Sequence, residues 1–488
     1  MDTISIDRND FTEEIYYDIL SLASAYAPYE YHEYEKNVKL LLEQNNLLNQ
    51  EEKDYYKERL KNDIEACYEK DKIGERKMCK YSEETHYRYS DKYCEICIQQ
   101  NFQKYLIKSE NEIIDKFIQA CLLESAIPPY IMQCIPIEQF EDIYFFAKGG
   151  FSKVYRATWN IGKIESWDDS KQEFIYHGKC NVVLKCLKNS ENLGKTFLEE
   201  ARNHIKIRSN TIVECFGITK LKDNSYALVL NYFHSGNLRD RLQNNFSMRI
   251  KDKLLYIQSL CESLYDIHRR DLIHKDLHSG NVLVDKTQCY ITDFGFTGPV
   301  EDKFSFKLYG ILPYLSPELL YGEKHTKASD VYSLGMLIWE IFNQITPFHY
   351  RAYDINLAHD ICMGARPEIT FNIPKNFQNL IQDCLNNDPH KRPNAKEIYN
   401  YVNREVIQFF ANPNSYDQSS NEKVQKNMNK HILIRELHPL TLCTSQIIDF
   451  INSLRFSNLI CEEKILTLNA NQDSELEYYS DDYDIMKD

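Results

Sequence analysis

The stretch from Ile273 to Gly295 reads IHKDLHSGNVLVDKTQCYITDFG, with polar groups at set intervals around a short apolar run, Val282-Leu283-Val284. His274-Lys275-Asp276 comes first, Asn281 follows, and Asp293-Phe294-Gly295 closes the stretch. An apolar strand between an acid-bearing loop and a second acid-bearing turn carries one carboxylate before it and one after. Phosphoryl transfer asks for little covalent chemistry from a protein. It asks for a carboxylate beside the incoming hydroxyl and for oxygen ligands to the metal ions that neutralise phosphate charge. Asp276 can supply the first, and Asn281 with Asp293 the second. A single Asp beside a His carries no such meaning, and an isolated Asp-Phe-Gly is a common turn. The two motifs in this order are specific.

The string resembles the catalytic core of the protein kinase superfamily. The resemblance implies an α+β, bilobal kinase fold, with a β-rich small lobe and a helical large lobe. Further residues match in family order. Asn181-Val182-Val183-Leu184-Lys185 reads as a short buried strand carrying one lysine. A lysine there is costly unless paired, so an acidic partner is expected on the next helix. Family register gives Glu200, and Glu199 is its rival. The resemblance implies that Lys185 binds the α and β phosphates of ATP. Asn281 and Asp293 would hold Mg²⁺.

Ala147-Lys148-Gly149-Gly150-Phe151-Ser152-Lys153-Val154 resembles the glycine-rich loop over the phosphates. The family's three glycines fall at Ala147, Gly149 and Ser152, with an extra Gly150. Ala or Ser forced to positive φ costs about 1–2 kcal/mol, which would lower nucleotide affinity. Tyr226 to Leu230 is an apolar strand ending at Asn231-Tyr232-Phe233. By resemblance Leu230 is the gatekeeper, Asn231 and Phe233 meet the adenine edge, and Val154, Val183 and Leu283 sandwich the purine. Glu318 is expected to pair with Arg392, and Asp330 to hold the catalytic loop through its backbone. Thr297, Ser305 and Tyr309 are candidate regulatory phosphosites of the activation segment.

Gly310 to Leu320 and Ala328 to Glu340 resemble the tyrosine-kinase-like group, and Asp276 to Asn281 resembles a fungal expansion within it. Three departures stand out. Lys275 replaces an arginine and loses its bidentate fork. Ile311 replaces a threonine that bonds the catalytic acid, and His278 replaces a lysine that contacts the phosphate. The expected activity is ATP-dependent phosphorylation of a protein hydroxyl in intracellular signalling, with Ser/Thr favoured over Tyr. The alternative is a pseudokinase, a nucleotide-binding or scaffolding module.

At 488 residues the chain has room beyond one two-lobed domain. The expected layout is a helical region at 1–78, a Cys-containing knuckle-like segment at 79–100, and a helix and linker at 101–140. The kinase domain follows at 141–410, then a linker at 411–430 and a partly helical, finally acidic tail at 431–488. Ile15, Ile19, Leu22 and Tyr26 share one helical face, as do Tyr56, Leu60, Ile64 and Cys67, and then Ile114, Phe117, Ile118 and Cys121. Residues 161–178 read as a polar solvent loop, and 431–468 regain helical periodicity. Cys94-x-x-Cys97 is half of a zinc site. Cys79, with Ser82 where its mate would stand, supplies a damaged other half, so the choice is weak Zn²⁺ ligation or free thiols. The fifteen cysteines are scattered as in a reducing compartment, the N-terminus lacks a secretion signal, and no apolar run nears the roughly 18 residues of a membrane span. A cytoplasmic location follows. The net charge of −15 disfavours nucleic acid and anionic membrane as partners, leaving ATP and a protein substrate. The oligomeric state is left open.

Overall fold

The computed structural model describes residues 31–70, 75–78, 85–88, 108–124, 130–148, 152–168, 173–187, 195–207, 209–244, 248–299, 308–370, 372–413 and 446–447, with single positions before 31 and at 98, 99 and 171. Two helices, α1 (Tyr31–Gln44) and α2 (Gln50–Lys70), open it. They bury Val38, Leu42, Tyr56 and Leu60 against Ile15, Tyr16 and Ile19, with the Tyr16 and Tyr56 rings stacked at 4.3 Å. Leu22 is half-buried on this module, whereas Tyr26 and the side chains of Ile64 and Cys67 lie outside the described residues. Asp18 bonds Lys251, tying the module to the large lobe. A small hairpin, β1 (Glu75–Met78) with β2 (Thr85–Arg88), follows. Cys79, Cys94 and Cys97 lie outside the described residues.

Helix α3 (Glu112–Glu124) starts at Asn111, whose Oδ1 accepts the Ile113 N–H at 3.0 Å. Such a cap satisfies an amide that no helical carbonyl can reach. Its apolar stripe, Ile114, Phe117, Ile118 and Cys121, is buried. Next come β3 (Gln133–Cys134), β4 (Phe140–Lys148), β5 (Ser152–Trp159), β6 (Ile164–Asp168), β7 (Glu173–Tyr176), β8 (Cys180–Leu187), α4 (Lys195–Ile207), β9 (Cys215–Lys220) and β10 (Tyr226–Asn231). Six of these strands form one sheet in the order β3-β9-β10-β8-β5-β4. Alternation divides its side chains. Val182, Leu184, Ala227 and Val229 pack on Trp159 and Phe140, while Leu228, Leu230 and Tyr226 pack under α4 and α3.

The segment 161–178 is not a solvent loop. Its β6–β7 hairpin buries Ile164 and Trp167 with Leu122 and Ile131. Two residues three apart face opposite ways on a regular strand. The pairing slips between Ile164 and Ser166, and a bulge of that kind returns both to one side. That irregularity erased the period from the sequence.

The large lobe runs through α5 (Leu238–Asn244), α6 (Ile250–His268), β11 (Leu272–Ile273), β12 (Val282–Asp285), β13 (Gln288–Ile291), β14 (Gly298–Pro299), β15 (Tyr309–Gly310) and α7 (Pro317–Leu320). It continues as α8 (Lys327–Asn343), α9 (Ile355–Cys362), α10 (Lys375–Cys384) and α11 (Ala395–Ala411). One core joins α6, α8, α10 and α11, and capping boxes at Thr326 and Asn394 start α8 and α11. The expected fold class, sheet-rich small lobe and helical large lobe, is what forms. In the tail, Gln446–Ile447 form a strand, β16, where a helix was expected. No helix among the described residues is long and apolar enough to cross a membrane.

Candidate active site

The cleft chemistry begins with one cation that the sheet buries. On β8, Lys185 shares a face with Val183, below α4, and its Nζ lies 2.7 Å from Glu200 Oε1 and 2.8 Å from Asp293 Oδ1. Glu200 is fully buried, Lys185 nearly so, and Asp293 keeps a side-chain exposure of 32%. Glu199, the rival, is exposed. Burial alone would lower the Lys185 pKa, but the Asp293 and Glu200 carboxylates outweigh it and hold the ammonium charged. Burial would raise Asp293, and Lys185 reverses that and keeps it ionised. One carboxylate oxygen, Glu200 Oε2, is buried without a hydrogen-bond partner. Asp293 sits at φ 67°, a left-handed conformation costly for a residue with a Cβ.

Asp276 follows β11 in a buried loop. Asn281 Nδ2 donates to its carbonyl at 2.9 Å and to its Oδ2 at 3.1 Å. Asn281 therefore braces the acid while its own amide oxygen stays available to a cation. The loop is held from below: Asp330 accepts the N–H groups of His274 at 2.7 Å and Lys275 at 3.0 Å, and His268 Nε2 lies 3.0 Å away. Lys275 is at φ 70°, so those bonds maintain a strained turn. Burial would raise the Asp330 pKa; its donors more than offset this and lower it. Glu318 and Arg392 meet as a bidentate pair, both contacts 2.7 Å.

The positions expected to face a nucleotide form an open wall. Val154, Val183 and Leu283 are half-exposed, while their strand neighbours Val182, Leu184 and Val282 are buried. Leu230 is buried beside them. The Asn231 N–H is used by the Glu214 carbonyl at 3.1 Å, and the Phe233 carbonyl accepts from Gly236 at 3.3 Å. A purine contact would thus use the Asn231 carbonyl and the Phe233 N–H. Ala147 pairs with Val154, and Ser152 is buried. Gly149 and Gly150 lie outside the described residues.

Several residues were not singled out for these roles by sequence. Asn203 Nδ2 donates to the Phe294 carbonyl at 3.4 Å and the Thr297 carbonyl at 2.9 Å, tying α4 to the segment after Asp293. His278 accepts the Gly280 N–H on Nδ1 and presents Nε2 to Asp276 Oδ1 at 3.6 Å. Beneath it, Glu340 accepts from Tyr314 at 2.6 Å and Ser279 at 2.8 Å. No spacing rule finds such contacts, which span up to 94 residues of sequence. One expectation is corrected: Thr297 is buried and its hydroxyl lies 3.4 Å from the His274 carbonyl, so it is a structural hydroxyl rather than an accessible phosphosite. Ser305 lies outside the described residues, and Tyr309 is half-buried, its ring stacked on Phe296 at 5.1 Å.

Comparison with known proteins points to a family. The family model described as "Protein tyrosine and serine/threonine kinase" matches residues 144–402. A Dictyostelium discoideum protein named "Probable serine/threonine-protein kinase" is 27% identical over 295 residues, covering 57% of this chain and 17% of the relative. An Arabidopsis thaliana "Protein kinase and PP2C-like domain-containing protein" is 26% identical over 325 residues, 58% of this chain and 45% of the relative. The "Dual specificity protein kinase zakA" of Dictyostelium discoideum is 23% identical over 344 residues, 66% of this chain and 41% of the relative. The chain spans less than half the length of each of these relatives.

Proposed function

This chain belongs to the protein tyrosine and serine/threonine kinase family, and from that premise we propose that it transfers the γ-phosphoryl group of ATP to a protein hydroxyl, serine or threonine ahead of tyrosine. The preference for Ser/Thr rests on the name of the first relative; the dual-specificity relative keeps tyrosine open. Residues 141–410 are the catalytic unit in this reading, flanked by the helical module and the tail. Cys186, Cys261, Cys289 and Cys384 are buried thiols, in keeping with a cytoplasmic setting.

One observation carries the proposal: a buried ammonium is clamped between two carboxylates while an amide braces a third. Asp293 stays ionised beside Lys185 and keeps part of its carboxylate open to the cleft, while burial pushes the enclosed Glu200 carboxyl up and leaves its Oε2 unpartnered. A cation completes such a set, and the oxygen donors of Asp293 and Asn281 suit Mg²⁺. When bound, Mg²⁺ neutralises phosphate charge. Lys185, set by Glu200, orients the α and β phosphates. Asp276 orients the acceptor hydroxyl and takes its proton as the new O–P bond forms and ADP leaves. A positioned base is worth about 10²–10⁴ in rate. Asp276→Asn should remove that factor from labelled-phosphate transfer with Mg²⁺ and a generic protein substrate, yet keep the thermal shift on adding Mg-ATP. Equal transfer by native protein and variant would refute the assignment. No transfer by either, with the thermal shift intact, would favour a nucleotide-binding module.

A further inference from the structure

The C-terminal tail returns to the cleft as a strand. Tyr309 faces Ile447 and Gly310 faces Gln446 in an antiparallel pairing of β15 with β16. Helix α11 ends at Ala411, so the intervening 412–445 comprise 34 residues, a tether able to span about 110 Å. The edge it reaches is next to the candidate base. Gly310 lies at φ 140°, and a Cβ built there would come 3.5 Å from Asp276 Oδ1 and 2.9 Å from Leu315 Cδ2. Only glycine fits that position, and its bare backbone brings the β15 edge itself close to Asp276. An unpaired edge of this kind captures polypeptide by main-chain hydrogen bonds. Here the occupant is the chain's own.

We propose that the tail strand Gln446–Ile447 is an intramolecular occupant of the edge where a substrate polypeptide must lie, and so competes with substrate for it. The inference rests on the kinase reading above, because competition presupposes a transferable phosphate. Tethering presents the strand at millimolar effective concentration. Against an intrinsic affinity on the order of 0.1 mM, that raises the apparent KM for an external peptide about tenfold. ATP binds elsewhere in the cleft, and its KM should not follow.

The test compares the full chain with a Gln446→Pro/Ile447→Pro variant, in which the tail loses the backbone donors of its strand. Hydrogen exchange read by mass spectrometry should be about tenfold faster in the variant over residues 308–311. The KM for a generic peptide substrate should fall about tenfold, with the KM for ATP changed less than twofold. Unchanged exchange overturns the proposal, whatever the activity. Faster exchange with an unchanged peptide KM also overturns it, because the strand then docks without competing. Faster exchange in a pair of proteins that transfer no phosphate at all would keep the occupancy and refute the kinase reading instead.

Discussion

Two buried charge clusters in this protein look alike on paper and differ in kind. Arg392 and Glu318 form a one-to-one, bidentate pair, with Arg392 also donating to the Asn386 and Ala328 carbonyls at 2.9 Å. Charge is balanced and the polar groups of the pair are matched. Around Lys185 one cation faces two acids, Asp293 is partly open to solvent, and Glu200 Oε2 has no partner. A closed, neutral set holds architecture together. An open set, with an ionised carboxylate partly facing solvent, is built to be completed by something else. The difference separates scaffold from chemistry more sharply than burial does.

The sharpest way to break that distinction is to remove one member of each. Arg392→Met strands a buried carboxylate, and should cost about 3–5 kcal/mol of stability in chemical denaturation. Replacing both partners with apolar residues, Glu318→Leu/Arg392→Met, should recover most of it. A loss under about 1 kcal/mol in the single variant would mean that the pair is not the fastening described here. Lys185→Met should act on the other axis. Removing a preorganised electrostatic donor lowers turnover by about 10²–10³, and the thermal shift on adding Mg-ATP should shrink. At ligand a hundredfold above its dissociation constant that shift is worth about 2.7 kcal/mol in the native chain, which sets the scale for the comparison.

The candidate cluster was legible because its residues are local in sequence: Asp276, Asn281 and Asp293 sit within one strand-loop-strand unit, and Lys185 is the one charge in an apolar strand. Glu200 was legible only as one of two neighbours, since helix register alone cannot say which of Glu199 and Glu200 faces inward. The Trp167 hairpin was not legible, because a bulge breaks the alternation that announces a strand. Thr297 was misjudged for a related reason: a hydroxyl in a polar segment looks exposed until the loop that buries it is placed. The tail strand is two residues long, and its cause is the edge it meets rather than its own propensity.

Asp330 tests how far the scaffold supports the open cluster. Asp330→Asn exchanges a charged acceptor of the His274 and Lys275 N–H groups for a neutral amide, at a cost of about 1.5–3 kcal/mol. Turnover should fall with it as the strained Lys275 turn relaxes. The native carboxyl has a folded-state pKa below its ordinary 3.8. Its contribution is therefore present above that value and lost as pH falls below it. The variant should show a flatter acid limb of stability against pH, and identical acid limbs would detach Asp330 from the loop.

The smallest expected effect comes from a charge that belongs to neither class. Lys253 donates to the Phe342 carbonyl at 2.9 Å, and burial lowers its pKa from 10.5 to about 8. A lysine whose folded-state pKa is depressed penalises folding while both states are protonated, at and below pH 8. The penalty falls away as pH rises toward 10.5, because the folded state sheds the proton first. The melting temperature should therefore gain a rising component between pH 8 and 9.5, and Lys253→Met should remove that component while leaving phosphate transfer unchanged. A variant whose pH profile overlays the native one would show that this partly buried ammonium is solvated in the folded protein and needs no partner beyond the Phe342 carbonyl and water.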